Sequence, residues 1–464
     1  MSDRALSRAA ADTSSVAEGR AAPAPRREGE AARFQPWGLP GPGDASRAVP
    51  AARFPLPGLA LPFGAGRSYG DSCTLADGPL LDARPGARIH HFDPSTGLVV
   101  ADAGVSLGAL MAHVAPRFML PVVPGTQFAT LGGAIANDIH GKNHHRRGSF
   151  GAHVEALTLR RSDGYRYELA PGEPLFAATV GGMGMTGIIE RAAVRLMPVA
   201  SQAVRQTTVR LSGLADYFAR AEEADAAHEY AVAWIDSLAT GERLGRGHLI
   251  TGDHAKGEAP GGRTRRRLTV PVTPPVSLLN RLTLGAFNAL YHARVPRGGE
   301  TKVVPASSFF FPLDAVGHWN RLYGPRGLHQ HQSVLPHADA HEAVREMLRL
   351  AHHHGHASFL TVLKRLGANQ SPAIISFARP GVTLTLDFPD KGPATLALLD
   401  ALDRVTLQAG GAINPYKDRR MSATAFDQSM PDWRLVEAVR DPHIVSDFWR
   451  RTALALSRSE ADAA

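Results

Sequence analysis

Apolar positions recur along this chain with two periods, and the change of period divides it. From Phe34 to about residue 200, short strand-like runs such as Gly97–Ala103 and Ala156–Leu159 alternate with Gly- and Pro-rich turns. That pattern predicts an α+β domain with many tight loops. From 201 to about 412 the apolar residues fall at helical spacing over Leu214–Ala227, His341–His353 and Pro393–Ala409, separated by strand-like runs at Tyr230–Ile235 and Val382–Phe388. These predict a second domain. Residues 1–33 carry almost no large apolar side chains, so a disordered tail is expected there. Between about 253 and 302 a Pro/Gly/Arg-rich interval holds Arg263, Arg265, Arg266, Arg267, Arg294, Arg297 and Lys302 around an apolar helix candidate, Ser277–Tyr291. Mobile loops are expected around that candidate.

Composition narrows the class. At 464 residues the chain exceeds what one core normally supports, and 44% hydrophobic with 20% charged residues is ordinary globular usage. A formal charge of +8 admits nucleic acid, a membrane surface or an anionic substrate as partner. Much of the excess is Arg in an Ala-, Arg- and Pro-rich chain with no zinc knuckle or aromatic RNA-binding signature, so no nucleic-acid partner is expected. Cys73 is the single cysteine, which excludes an intrachain disulfide. No apolar run of ~18 residues occurs, and the first residues lack the apolar middle of a secretory signal. The expectation is a cytoplasmic protein with peripheral contact at the inner membrane face.

Three glycine clusters carry the candidate chemistry. Leu61–Asp71 (LPFGAGRSYGD) holds Gly64, Gly66 and Gly70 around Arg67, Ser68 and Tyr69. Glycines so spaced bring backbone N–H groups close to an anion, although a tight turn between strands uses the same residues. Pro121–His145 (PVVPGTQFATLGGAIANDIHGKNHH) places Gly132 and Gly133 before small Ala134 and Ala136, which suits a helix start packed against phosphate oxygens. It is neither G-x-G-x-x-G after a strand nor a Walker A loop. In Thr179–Pro198, Gly181, Gly182, Gly184 and Gly187 precede an apolar strand. Adjacent histidines at His144–His145 and His352–His354 face different ways on regular structure, so no metal site is expected.

These segments, in this order, resemble the FAD-binding domain of the vanillyl-alcohol-oxidase/p-cresol-methylhydroxylase (PCMH) superfamily. The chain is more closely similar to the flavoprotein-subunit family of decaprenylphosphoryl-β-D-ribose 2′-epimerases. GRSYGD, PVVPGT, GGAIANDIHGKNHH, GSFG (Gly148–Gly151) and VGGMGMTGII carry the likeness in the first domain. WID (Trp234–Asp236), FFPLDAVGHWNRLYGPRG (Phe310–Gly327), QHQSVLP (Gln330–Pro336), SFLTVLK (Ser358–Lys364), DFP (Asp387–Pro389) and YKDRR (Tyr416–Arg420) carry it through the second. The resemblance implies a two-domain PCMH-type fold: an FAD-binding domain over 34–200, a substrate (cap) domain on an antiparallel sheet over 201–412, and a C-terminal segment, 413–464, returning to the first.

By resemblance the FAD pyrophosphate lies against Gly66, Arg67, Ser68, Tyr69, Gly70 and Asp71 and against Thr130, Leu131, Gly132 and Gly133. Gly125, Thr126, Asn137, His140, Ile188, Asn414 and Lys417 line the rest of the cofactor. Many relatives tether the flavin through a histidine where this chain has Arg67, so non-covalent FAD is expected. Oxidising a secondary alcohol needs a base near the flavin. Lys417 is the first choice, or it stays charged beside the reduced flavin and leaves proton transfer to Tyr69 or His140. Lys142, Gln330, Gln332, Lys364, Thr383 and Thr385 are expected to meet substrate, Thr385 standing where the family has a cysteine. The implied reaction takes the 2′-hydroxyl of a lipid-phosphate-linked ribose to a ketone, which a separate NADH-dependent short-chain reductase reduces. An aldonolactone or alditol oxidase acting on a free sugar, and a flavin-binding module without turnover, are the alternatives.

Overall fold

The computed structural model describes residues 34–39, 48–50, 53–257 and 268–463; the expected tail and Arg263, Arg265, Arg266 and Arg267 lie outside the described residues. β1 (Ala48–Pro50), β2 (Leu61–Phe63) and β3 (Leu80–Asp82) form a small parallel sheet with β3 in the middle. A five-stranded antiparallel sheet follows, built from β4 (Ile89–Asp93), β5 (Leu98–Asp102), β6 (Val154–Arg160), β7 (Arg166–Leu169) and β8 (Ile188–Arg195) in the order β4-β5-β8-β6-β7. Its centre is rich in Val and Ala, which fit a surface covered on a pleated face. Helices α1 (Leu107–Val114) and α2 (Leu131–Ala136) close that face, so Leu107, Leu110, Leu131 and Ile135 share a core with Val99, Leu157 and Val194.

The cap is an eight-stranded antiparallel sheet with three long helices on one side. Its strands are β9 (Val204–Leu211), β10 (Tyr230–Ile235), β11 (Gly247–His254), β12 (Glu300–Val304), β13 (Leu328–Leu335), β14 (Thr361–Leu366), β15 (Gly381–Pro389) and β16 (Ala412–Ile413). They lie in the order β12-β9-β11-β10-β14-β15-β13-β16. The covering helices are α3 (Leu214–Ala227), α5 (Ala340–His353) and α6 (Pro393–Gln408), while α4 (Arg281–Ala293) stands apart from them. Because side chains alternate across a strand, Val382, Leu384, Leu386 and Phe388 of β15 meet Val344, Met347, Leu398 and Leu402 of the helices. Thr383, Thr385 and Asp387 therefore point to the opposite face, toward the first domain. Burying each of those leucines contributes roughly 1.5–3 kcal/mol before chain entropy is counted.

After β16 the chain re-enters the first domain, where Phe426, Trp433, Phe448 and Trp449 share a core with Phe34, Leu61, Phe63 and Leu80. The expected helix over Ser277–Tyr291 starts instead at Arg281. Pro274 and Pro275 disfavour an earlier turn, and the Asn280 side chain accepts from the N–H of Leu282 and Thr283 while Thr283 Oγ1 accepts from the Asn280 N–H. The loop-rich interval thus contains a capped helix and the edge strand β12.

Candidate active site

A cleft of about 330 Å³ opens where the two domains meet. One wall is backbone. Gly64, Gly66, Arg67, Ser68 and Tyr69 come from the turn after β2, Gly125 and Thr126 from the loop before α2, and Thr130, Gly132 and Gly133 from the start of α2. Asn137, His140, Gly184, Gly187 and Ile188 complete it. Gly66 has φ +61, and a Cβ there would sit 2.5 Å from the Gln35 carbonyl oxygen, so the turn requires glycine. A Cβ at Gly125 or Gly184 meets nothing within 4 Å, which marks both as facing open cleft. Ser72 Oγ lines the same wall, buried and without a hydrogen-bond partner. The expected helix start does not offer free donors: the Leu131, Gly132 and Gly133 N–H groups go to the Val105 carbonyl, the Ala103 carbonyl and Thr130 Oγ1, so the glycines of α2 supply a bare surface instead. That surface and the unsatisfied Ser72 hydroxyl fit a long cofactor lying against backbone.

The facing wall is side chain. Gln330 and Gln332 of β13, Val362 and Lys364 of β14, Thr385 of β15, and Tyr416 and Lys417 beyond β16 line it. Register brings them together: Gln332 opposes Thr385, Gln330 opposes Asp387, and Lys364 opposes Thr383. Lys417 Nζ lies 4.1 Å from the Tyr69 ring centroid, and burial pushes its ammonium down to about 8 against an opposing pull from Asp387. Burial likewise pushes Asp387 up to about 7, held back by the hydrogen bond from Gln330 Nε2 at 2.6 Å and by Lys417. Asp387 Oδ2 and the nearby Tyr323 hydroxyl are buried with no hydrogen-bond partner.

One chain of hydrogen bonds runs from the returning segment to His140. The Tyr416 N–H donates to Asn414 Oδ1, so Asn414 Nδ2 faces and donates to Gln332 Oε1 at 2.8 Å. Gln332 Nε2 is thereby turned to His140 Nε2 at 3.2 Å and to Thr383 Oγ1 at 3.2 Å. Burial first, and then the charge of the neighbouring Lys364, hold His140 in its neutral form. His140 Nδ1 sits 2.7 Å from Lys364 Nζ, which donates to the Gly141 carbonyl at 3.0 Å. Lys364 is itself pushed down to about 7 by burial and then by Lys142 and Lys417.

Six of the expected residues do not line the cleft. Gly70 leaves room for the Asp418 carbonyl, which a Cβ would meet at 1.6 Å. Asp71 receives Arg451 Nε and Nη2, both at 2.9 Å, and so clamps the C-terminal segment. Leu131 is core. The Lys142 ammonium donates to the Phe309 carbonyl and lies over the Phe309 ring. Thr383 and Asn414 stand one layer back and hold Gln332. Arg67 stacks between Trp37 at 4.4 Å and Phe128 at 4.9 Å.

The structure adds residues that the sequence did not single out. Asp387 is the clearest, since DFP marked the strand but not the inward face of its first residue. Trp37 and Trp319 line the cleft, and Asp314 docks the Thr126 loop through Thr126 Oγ1 at 3.0 Å and the Gln127 N–H at 2.8 Å. Asp138, buried and at φ 40, accepts from Ser149, Gly151, Ser371 and Ser376 and anchors the turn that carries Asn137 and His140.

A family model described as an FAD binding domain matches residues 59–170. The fold and this cleft define an FAD-dependent oxidoreductase of the two-domain PCMH type. The chain is 37% identical over 413 residues, 84% of its length and 88% of the relative's, to decaprenylphosphoryl-β-D-ribose oxidase of Mycolicibacterium smegmatis, and it belongs to that protein's family. It is also 35% identical over 374 residues, 75% of this chain and 100% of the relative, to an uncharacterised protein of Streptomyces coelicolor. The likeness to L-gulono-1,4-lactone dehydrogenase of Mycobacterium tuberculosis is 28% over 162 residues, 33% of this chain and 37% of that one.

Proposed function

We propose that the protein oxidises the 2′-hydroxyl of a polyprenyl-phosphoryl-β-D-ribose to the ketone, the first half of an epimerisation completed by a separate NADH-dependent short-chain reductase. The observation that carries this reading is Lys417, a buried amine pushed down to about 8 by burial, facing a glycine-lined cleft across from the first domain. FAD supplies the two-electron acceptor when bound. Gly66, Gly132 and Gly133 would let its phosphates approach the backbone without side-chain interference, the Gly132 and Gly133 N–H groups being given to the Ala103 carbonyl and Thr130 Oγ1, and Asn137, Ile188 and Tyr69 would shape the remainder of the wall. With Arg67 engaged between two aromatic rings and the Cys73 thiol pushed up to about 12 by burial, the cofactor is held without a covalent bond.

Lys417 Nζ, once uncharged, takes the hydroxyl proton as the carbon-bound hydrogen departs with its electron pair. Gln330 keeps Asp387 beside it, so the ammonium that forms has a carboxylate to stabilise it. Gln332, Thr385 and Lys364 orient the sugar, with His140 fixed by its two neighbours. Anaerobic mixing tests this reading: polyprenyl-phosphoryl ribose should bleach the visible flavin band in a single turnover. Bleaching by free lactones or alditols but not by the lipid-linked sugar would move the protein to the free-sugar oxidases, a reading that the short lactone-dehydrogenase match supports only over a third of the chain.

A further inference from the structure

Helix α4 is apolar on both sides. Its inner face, Leu284 with the preceding Leu279, packs on Tyr69, Trp319, Tyr323 and Leu328, and Tyr69 and Trp319 are themselves cleft residues. Its outer stripe, Leu282, Ala286, Ala289, Leu290 and Ala293, repeats at helical spacing and is exposed along its length, Leu282 by 86% and Leu290 by 74%. Leu268, Val272, Val276 and Leu278 extend this patch along the segment leading to the helix, at 69%, 69%, 65% and 46%. Seven of the thirteen large hydrophobic side chains exposed among the described residues fall between 268 and 290, counting Phe287. Scattered exposed leucines are ordinary, but a continuous apolar stripe beside a cleft marks an interaction surface.

Charge identifies what it meets. Residues 259–299 contain no Asp or Glu, while Arg281 opens α4 and Arg294 and Arg297 follow it, all three exposed. An apolar stripe that buries five side chains and is flanked at both ends by arginine fits an anionic lipid surface: the leucines enter the acyl boundary and the guanidiniums meet headgroup phosphates. No described helix is long and apolar enough to cross a membrane, so such a contact would be a surface one.

We propose that α4 and the segment from Leu268 dock the enzyme on an anionic bilayer and set the cleft at the lipid surface, so that a lipid-linked sugar reaches Lys417 while its tail stays in the membrane. This rests on the lipid-linked substrate proposed above. The test is flotation of the FAD-loaded enzyme with vesicles of phosphatidylcholine plus phosphatidylglycerol and with vesicles of phosphatidylcholine alone. Wild-type protein should float with the mixed vesicles and bind the neutral ones about tenfold less, and salt should weaken the difference. Leu282→Glu with Leu290→Glu should cut binding to mixed vesicles by about tenfold or more, and Arg281→Gln or Arg297→Gln by about fivefold each. The visible flavin spectrum and the turnover of a short-chain, water-soluble substrate analogue should not change in the leucine variant. Wild-type protein that ignores both vesicles, or a leucine variant that floats as wild type does, overturns the proposal. So does a concentration-dependent dimer that the same variant dissolves, since the stripe then belongs to a second copy. If vesicle binding holds while lipid-linked ribose leaves the flavin oxidised, the reaction assigned above falls and the surface stands.

Discussion

The two walls of the cleft are built by opposite means. On the flavin side the wall is backbone: glycines in turns and at the start of α2, each within a short motif of its own. On the cap side it is side chains from three strands and a returning segment, brought together across more than 80 residues by strand register. The first wall recognises a shape that does not change during the reaction. The second presents Lys417 and Lys364, with Asp387 one layer back on Gln330, and burial pushes the titrations of all three toward neutrality, the property expected of groups that move protons. Cofactor retention and turnover should therefore separate under mutation.

The sharpest separation is Lys417→Ala. It should lower substrate-driven flavin reduction by about 10³-fold or more while leaving the bound-flavin spectrum intact. Loss of flavin from that variant would place Lys417 in retention and erase the distinction. Next in size is Gly132→Val on the other wall, where the first added carbon already lies 2.9 Å from Ala103 Cβ. Overpacking of about 1–3 kcal/mol predicts a ~10- to 100-fold weaker FAD affinity by fluorescence titration, with reduction rates restored once the site is saturated.

The pH profile distinguishes the two roles open to Lys417. As the base, its uncharged form is required, so the reduction rate should climb about tenfold per unit below about 8 and level off above it. A rate that falls above about 8 would mean that the ammonium is the working form, and a flat rate would remove the titration of Lys417 from the step. A smaller effect is expected from Gln332→Ala, which frees His140 Nε2 and Asn414; a KM raised by about tenfold with a smaller change in kcat would show positioning of the sugar.

The smallest effect is on stability. Asp387 titrates at about 7 in the folded chain against an ordinary 3.8, so the folded state binds this proton more tightly than the unfolded one. Its contribution to stability is present at low pH and is lost as pH rises through about 7. Asp387→Asn should flatten that slope in denaturant titrations run below and above neutrality, and an unchanged slope would show that Asp387 is ionised throughout.

The legibility of the site follows the same division. The turn after β2, the glycines of α2 and the strand of Ile188 are set by short motifs, and their sequence was enough to expect a wall of bare backbone, though not that the N–H groups at the start of α2 are given to Val105, Ala103 and Thr130. Leu214–Ala227 and Tyr230–Ile235 are observed at their expected limits because an apolar face fixes them locally. Asp387 was not singled out: Val382, Leu384, Leu386 and Phe388 alternate with Thr383, Thr385 and Asp387, so the polar face of the strand is legible, but that this face is buried against the first domain, with Asp387 held by Gln330 and drawn toward Lys417, depends on register with a strand some 57 residues away. Asp314 and Trp37 acquire their positions through segments distant in sequence. The GRSYGD and YKDRR segments were legible as motifs, while the mutual packing of Gly70 and Asp418 was not.

Two clamps bear on how the enzyme cycles. Arg420, three residues beyond Lys417, binds Asp403, which in turn receives His331 from β13, while Arg451 grips Asp71 at the flavin wall. The peptide that carries Lys417 is thus stitched to both halves of the molecule. A jaw-like swing of one half away from the other would have to tear this stitching, so the segment acts as a hasp across the seam between the two bodies.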